Sequence, residues 1–115
     1  MSKKVMLAED ERTMVTLLTT LLKMEGFEVV VADIHSDIPS AVVKENPDHL
    51  LMDVHLAGKS GVDILEKVRK NPSNRNINIV MASGLNVKDE CLKHGANHFL
   101  LKPFMPDDLL KLLKK

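Results

Sequence analysis

A doubly wound α/β domain, five parallel strands with helices on both faces, is what this sequence of 115 residues predicts. Three observations carry that expectation. Short apolar runs suited to strands buried on both faces alternate with segments of helical spacing. Neighbouring parallel strands need crossover connections, and the intervening helices supply them. The length suits one domain, residues 1–115, with room for a sizeable core.

The first strand is Lys4 to Ala8, KVMLA. Helical spacing then takes over in EDERTMVTLLTTLLKMEG, where Met14, Leu17, Leu18 and Leu21 are expected on one face and Gly26 supplies the stop. Glu28 to Ala32, EVVVA, is a β-branched second strand. A second helix through IPSAVVKEN admits Pro39 only in its first turn, and Asn46 with Pro47 ends it. HLLM, from His49, is the third strand. The third helix is GVDILEKVRK, with Val62, Leu65 and Val68 inward, and NPSNRN is the loop after it. INIVMAS forms the fourth strand, VKDECLKHG a fourth helix closing on Gly95, HFLL the fifth strand and PDDLLKLLKK the last helix. Lys114 and Lys115 there offset the helix dipole.

Composition removes several classes of function. Sixteen Lys and Arg balance sixteen Asp and Glu, so no overall field favours nucleic acid or an anionic membrane. No apolar run approaches the roughly 20 residues of a membrane span, and Met1 leads into SKK and a strand rather than a signal-peptide core. Cys91 is the lone cysteine and cannot pair within the chain. It is expected as a small, half-buried residue of a helix in a reducing cytoplasm.

In a doubly wound sheet the ligand site lies beyond the carboxyl ends of the strands, where strand order reverses. The residues at those ends are Glu9 and Asp10 after the first strand, Asp53 after the third, Ser83 with Gly84 after the fourth, and Lys102 with Pro103 after the fifth. In the flavodoxin-like order 2-1-3-4-5 the first and third strands are neighbours, and three carboxylates crowd together. Such a cluster asks for a cation, and Mg²⁺ suits oxygen ligands of this kind. Lys102 adds a point charge and Ser83 a hydroxyl, both suited to phosphoryl oxygens. The constellation reads as a phosphoryl-transfer site. Singly, each member has a plainer role, as a first-turn acid, a cap or a surface cation.

The succession AED, MD, SG and KPF at the four strand ends resembles the receiver domain of two-component response regulators, of the chemotaxis-regulator type, over essentially the whole chain. The resemblance implies that Asp53 is the phosphoacceptor and Asp10 a direct Mg²⁺ ligand. Glu9 would bind the metal largely through water, and the backbone carbonyl of His55 would be a further ligand. Ser83 and Lys102 would contact the phosphoryl group, Gly61 would match the family glycine before the third helix, and Phe99 the aromatic switch position. It also implies a cis Lys102–Pro103 bond. A sensor histidine kinase or a phosphotransfer protein would be the donor, and the face made by the fourth helix, fifth strand and fifth helix would address an unknown output.

Three positions depart from the family pattern. Glu9 stands for the commoner aspartate, and Ala57 for a proline, so the loop after Asp53 is expected to be less restrained in its unfolded and apo states. Met105 replaces a polar cap of the last helix, which is expected to fray. Other readings of the crevice remain open at this stage. A nucleotide or flavin module would want a glycine-rich loop where AEDERT stands. A hydrolase with an aspartyl-phosphate intermediate would want a second aspartate at His55. A receiver used only for docking would not need the full set of site residues.

Overall fold

The computed structural model describes residues 3–114. In chain order its elements are β1 (Lys4–Ala8), α1 (Arg12–Met24), β2 (Glu28–Val31), α2 (Ile38–Glu45), β3 (His49–Asp53), β4 (His55–Leu56), β5 (Lys59–Ser60), α3 (Gly61–Lys70), β6 (Asn78–Ser83), α4 (Lys88–Lys93), β7 (His98–Leu101) and α5 (Pro106–Leu113). Five strands form one parallel sheet in the order β2-β1-β3-β6-β7, which is the expected 2-1-3-4-5 order once the small β4-β5 hairpin is set aside.

The middle residues of the inner strands are apolar and buried on both faces. Val5 to Ala8 and Leu50 to Met52 are buried, as are Ile79 to Ser83. The side chains alternate between two cores. Val5, Leu7, Leu51 and Val80 pack with Leu18 and Leu22 of α1 and with Leu109 and Leu113 of α5. Met6, Leu50, Met52, Ile79 and Met81 pack with Ile38 and Val42 of α2, with Val62, Leu65 and Val68 of α3, and with Cys91 of α4. The register pairs Ala8 with Met52 and Asp53 with Ala82, so the carboxyl ends of β1, β3 and β6 finish side by side.

Several expectations need correcting. Leu17 is 49% exposed, and Leu22 takes its place in the core, because the inward stripe of α1 runs through Leu18 and Leu22 at i, i+4 spacing. Glu9 and Asp10 precede α1, whose N-cap is Glu11, so neither is a first-turn acid. Cys91 is fully rather than half buried. The loop NPSNRN contains a 3-10 turn, Pro72–Asn74, capped by the Asn71 side chain. Lys115 lies outside the described residues. The predicted stops at Gly26 and Asn46 hold, with φ of +93° and +47°.

The largest difference is the loop after Asp53. It is an ordered hairpin, with His55 opposite Ser60 and Leu56 opposite Lys59. Ala57 and Gly58 form its two-residue turn with φ of +47° and +81°, the signs of a type I′ turn. Proline cannot take that φ at position 57, and alanine does so at a cost of about 1 kcal/mol. Leu56 is fully buried, and the Lys59 ammonium donates to the Ile34 carbonyl at 3.0 Å, so both arms are fixed. Gly61 closes the base. A Cβ there would stand 2.8 Å from Val54 Cα, closer than real side chains come, which explains the glycine without recourse to φ.

Candidate functional site

Glu9, Asp10 and Asp53 converge where β1 and β3 end. One carboxylate oxygen from each lies within 4.8 Å of the others. Glu9 and Asp53 are 8% and 9% exposed, so two of the three charges have given up most of their water. Desolvation on this scale is unfavourable unless an opposite charge is close. The Lys102 ammonium supplies it, donating to Glu9 Oε2 at 2.7 Å and to Asp53 Oδ2 at 2.8 Å.

These contacts set the ionisation of the group. Burial, helped by the neighbouring Asp53 charge, pushes the Glu9 carboxyl above the usual range, and the Lys102 hydrogen bond pulls against it. Burial alone would lower the Lys102 pKa, but its hydrogen bonds to Asp53 and Glu9 and their charges together hold it above the ordinary lysine value. The lysine is therefore a fixed cation. With all three acids ionised, one ammonium leaves two negative charges uncompensated, and an oxygen-only donor set of that charge fits a hard divalent cation such as Mg²⁺.

Backbone groups orient the same carboxylates. The His55 N–H donates to Asp53 Oδ1 at 3.3 Å, and the Ala57 N–H donates to Asp10 Oδ2 at 3.2 Å. The Glu11 N–H donates to Glu9 Oε1 at 3.2 Å. The Lys102–Pro103 bond is cis, as the resemblance implies. Ser83 is buried at the end of β6, next to β3, and its Oγ accepts from the Leu85 N–H at 3.1 Å. Phe99 stands apart from the cluster. It is half-buried on β7, packed against the core under α4. The structure thus gathers Glu9, Asp10, Asp53 and Lys102, sets Ser83 on the adjacent strand end and leaves Phe99 of β7 outside the cluster, paired with Met81 of β6.

Two features escape the sequence reading. One is the direct bridge from Lys102 to Glu9 and Asp53, since the sequence offers Lys102 only as a partner for phosphoryl oxygens. The other is the amide of Ala57 on Asp10. The dipeptide Ala57-Gly58 between two short polar-apolar arms is the only trace of that turn, and it is weaker than the Asn-Gly pair that usually announces one.

A model of the family described as response regulator receiver domain matches residues 5–114. The chain belongs to that family. A receiver is the signal-accepting module of a two-component system, a phosphoacceptor switch rather than an enzyme that turns over a substrate. Among curated relatives, the phosphate regulon transcriptional regulatory protein PhoB of Pseudomonas aeruginosa is 27% identical over 115 aligned residues, covering 97% of this chain and 50% of the relative. The chain therefore spans about half the length of that protein. A Chloroflexus aurantiacus protein assigned as a response regulator is similar in crystal structure, with TM-score 0.90 and 30% identity over 99% of this chain and 96% of that one. The chemotaxis response regulator CheY4 of Vibrio cholerae gives TM-score 0.88 and 27% identity over 99% and 98%. The receiver domain of the sensor histidine kinase PA1611 of P. aeruginosa, solved with magnesium coordinated in its active-site cleft, gives TM-score 0.85 and 24% identity over 99% and 96%, a likeness of fold. Receivers of this family bind Mg²⁺ at an acidic site. Among the described residues no helix is long and apolar enough to cross a membrane.

Proposed function

We propose that Asp53 of this receiver accepts a phosphoryl group from a phosphorylated histidine of a sensor kinase or phosphotransfer protein. The observation that carries the reading is the Lys102 ammonium held between Glu9 and Asp53 beside Asp10, at the carboxyl ends of the parallel strands. Glu9, Asp10, Asp53 and the His55 carbonyl would hold Mg²⁺. When bound, that ion would neutralise charge on the transferred oxygens.

The chain's own groups do the rest. The His55 amide and the Lys102 ammonium hold the two Asp53 oxygens in place, so the attacking lone pair is oriented before the donor arrives. As the P–O bond to Asp53 forms, the P–N bond to the donor imidazole breaks and its electron pair returns to the ring nitrogen. Asp53 loses its carboxylate charge in becoming an acyl phosphate, and Lys102 is freed to follow the charge to a phosphoryl oxygen. Ser83 then turns its O–H to another phosphoryl oxygen. Its Oγ at present anchors the Leu85 amide, so this movement disturbs the loop before α4. Phe99 responds by turning inward, which changes the surface of α4, β7 and α5 for an output partner. Attack by water on the acyl phosphate restores the carboxylate and releases inorganic phosphate.

Incubation with Mg²⁺ and acetyl phosphate tests the reading. Intact-mass spectrometry should show one phosphoryl adduct on the wild type and none without Mg²⁺ or on Asp53→Asn. Equal labelling of wild type and Asp53→Asn would overturn it.

A further inference from the structure

Ala57 occupies a left-handed conformation that an L-residue avoids, at the tip of a hairpin anchored at three points. Leu56 is sunk in the core, Lys59 is tied to the Ile34 carbonyl, and the Gly61 N–H donates to the Val54 carbonyl at 2.6 Å. Backbone strain kept under such restraint is a reason to ask what it positions. What it positions is one amide. The Ala57 N–H reaches back across the strand ends to Asp10 Oδ2 at 3.2 Å, joining residues that are 47 apart in sequence. Asp10 is exposed, unlike Glu9 and Asp53, and Lys102 donates to those two and not to it.

We infer that the Ala57 amide is a positioning group for the metal site. It fixes the carboxylate of Asp10 through Oδ2, within a cluster in which Glu9, Asp10 and Asp53 each bring one carboxylate oxygen within 4.8 Å of the others. This inference rests on Asp10 being a metal ligand. A freely rotating carboxylate must lose that freedom when it binds a cation, whereas one already held by a rigid amide has lost it beforehand, so the cation binds more tightly. The left-handed turn is what aims the amide. A proline at position 57 has no N–H and cannot adopt the turn, so a receiver with that residue must orient its aspartate by other means.

Replacing Ala57 by lactic acid exchanges the N–H for an ester oxygen and leaves the methyl group and the chain direction intact. Calorimetric titration with Mg²⁺ alone, on wild type, the ester, Ala57→Gly and Asp10→Ala, reads the effect. The ester should bind Mg²⁺ about threefold to tenfold more weakly, consistent with the cost of ordering one side chain. Ala57→Gly keeps the amide and favours the turn, and its affinity should stay within about twofold of wild type. Melting of the metal-free proteins separates a merely structural role, which would lower stability and leave the dissociation constant unchanged. Equal or tighter Mg²⁺ binding by the ester, with Asp10→Ala impaired, would overturn the role of Ala57 and leave the metal reading standing. Undiminished binding by Asp10→Ala would overturn both.

Discussion

The ammonium of Lys102 is what allows Glu9 and Asp53 to stand side by side with so little water. Replacing it by methionine keeps the stem and removes the charge, leaving two buried carboxylates unpaired. Lys102→Met should lose about 3 kcal/mol of stability at neutral pH without divalent cation, and Mg²⁺ should restore part of it. Urea unfolding measures both, and an unchanged midpoint would contradict the pairing. His49 shows a different cost of burial. Its Nδ1 accepts from the Asn78 side chain at 3.0 Å, while Nε2 is buried without a hydrogen-bond partner among the described residues. Burial, opposed by the nearby Asp48 charge and assisted by Lys3, holds its pKa below the ordinary 6.5. Well above pH 6.5 neither the folded nor the unfolded form of this group binds a proton. As pH falls below that value the unfolded chain gains one first, so stability is lost until the folded pKa is passed. His49→Gln should therefore lose less stability than wild type between pH 7.5 and 5, an interval of roughly 2.5 units around the histidine range. Denaturant midpoints against pH decide it, and parallel curves for the two proteins would count against a buried neutral His49.

At the N-terminus of α5 the missing polar cap is only half a defect. Met105 has the extended backbone of an N-cap, Pro106 follows at the first helical position, and Asp108 Oδ2 accepts from the Met105 N–H at 3.2 Å. One arm of a capping box is thus in place, and the helix runs over Pro106–Leu113. Met105→Ser would supply the other arm. It should raise stability by about 1 kcal/mol, read as a higher denaturant midpoint with unchanged slope, and a lower midpoint would show that the exposed Met105 side chain contributes more than the cap. The regular elements were legible because apolar period and stop residues agreed, as in Val62, Leu65 and Val68 of α3, whose burial matches the pattern. Leu17 misled because adjacent leucines at 17 and 18 leave the phase of a helix open by one residue, and only the sheet it packs on decides. The hairpin of Ala57 and Gly58 was illegible for a similar reason. Its turn is held by the burial of Leu56 in the core, by Lys59 on the distant Ile34 carbonyl and by the close approach of Gly61 to Val54, rather than announced by a local turn sequence.

The site was more legible than the hairpin because topology, not local geometry, assembles it. Placing β1 between β2 and β3 brings Glu9, Asp10 and Asp53 to one end of the sheet, and the crossover to β7 returns Lys102 to the same place. Identities at four strand ends were enough to expect that meeting. The bridging of Glu9 and Asp53 by Lys102 was not, since it depends on the path of one side chain across three strands. The sheet also separates the two jobs of the molecule. In the proposed function phosphoryl chemistry would sit at the strand ends, while the half-buried Phe99 packs against the core under α4, and β6, which ends in Ser83, pairs with the strand that carries Phe99. The claim on which all this turns is that Asp53 carries the phosphoryl group. Borohydride reduces an aspartyl phosphate to homoserine, so treating the acetyl-phosphate-labelled protein and sequencing its peptides by mass spectrometry reads the position directly. The account predicts homoserine at position 53 and at no other acidic residue, dependent on Mg²⁺. Homoserine at position 9 or 10, or none at 53 in protein whose intact mass shows the adduct, would contradict it.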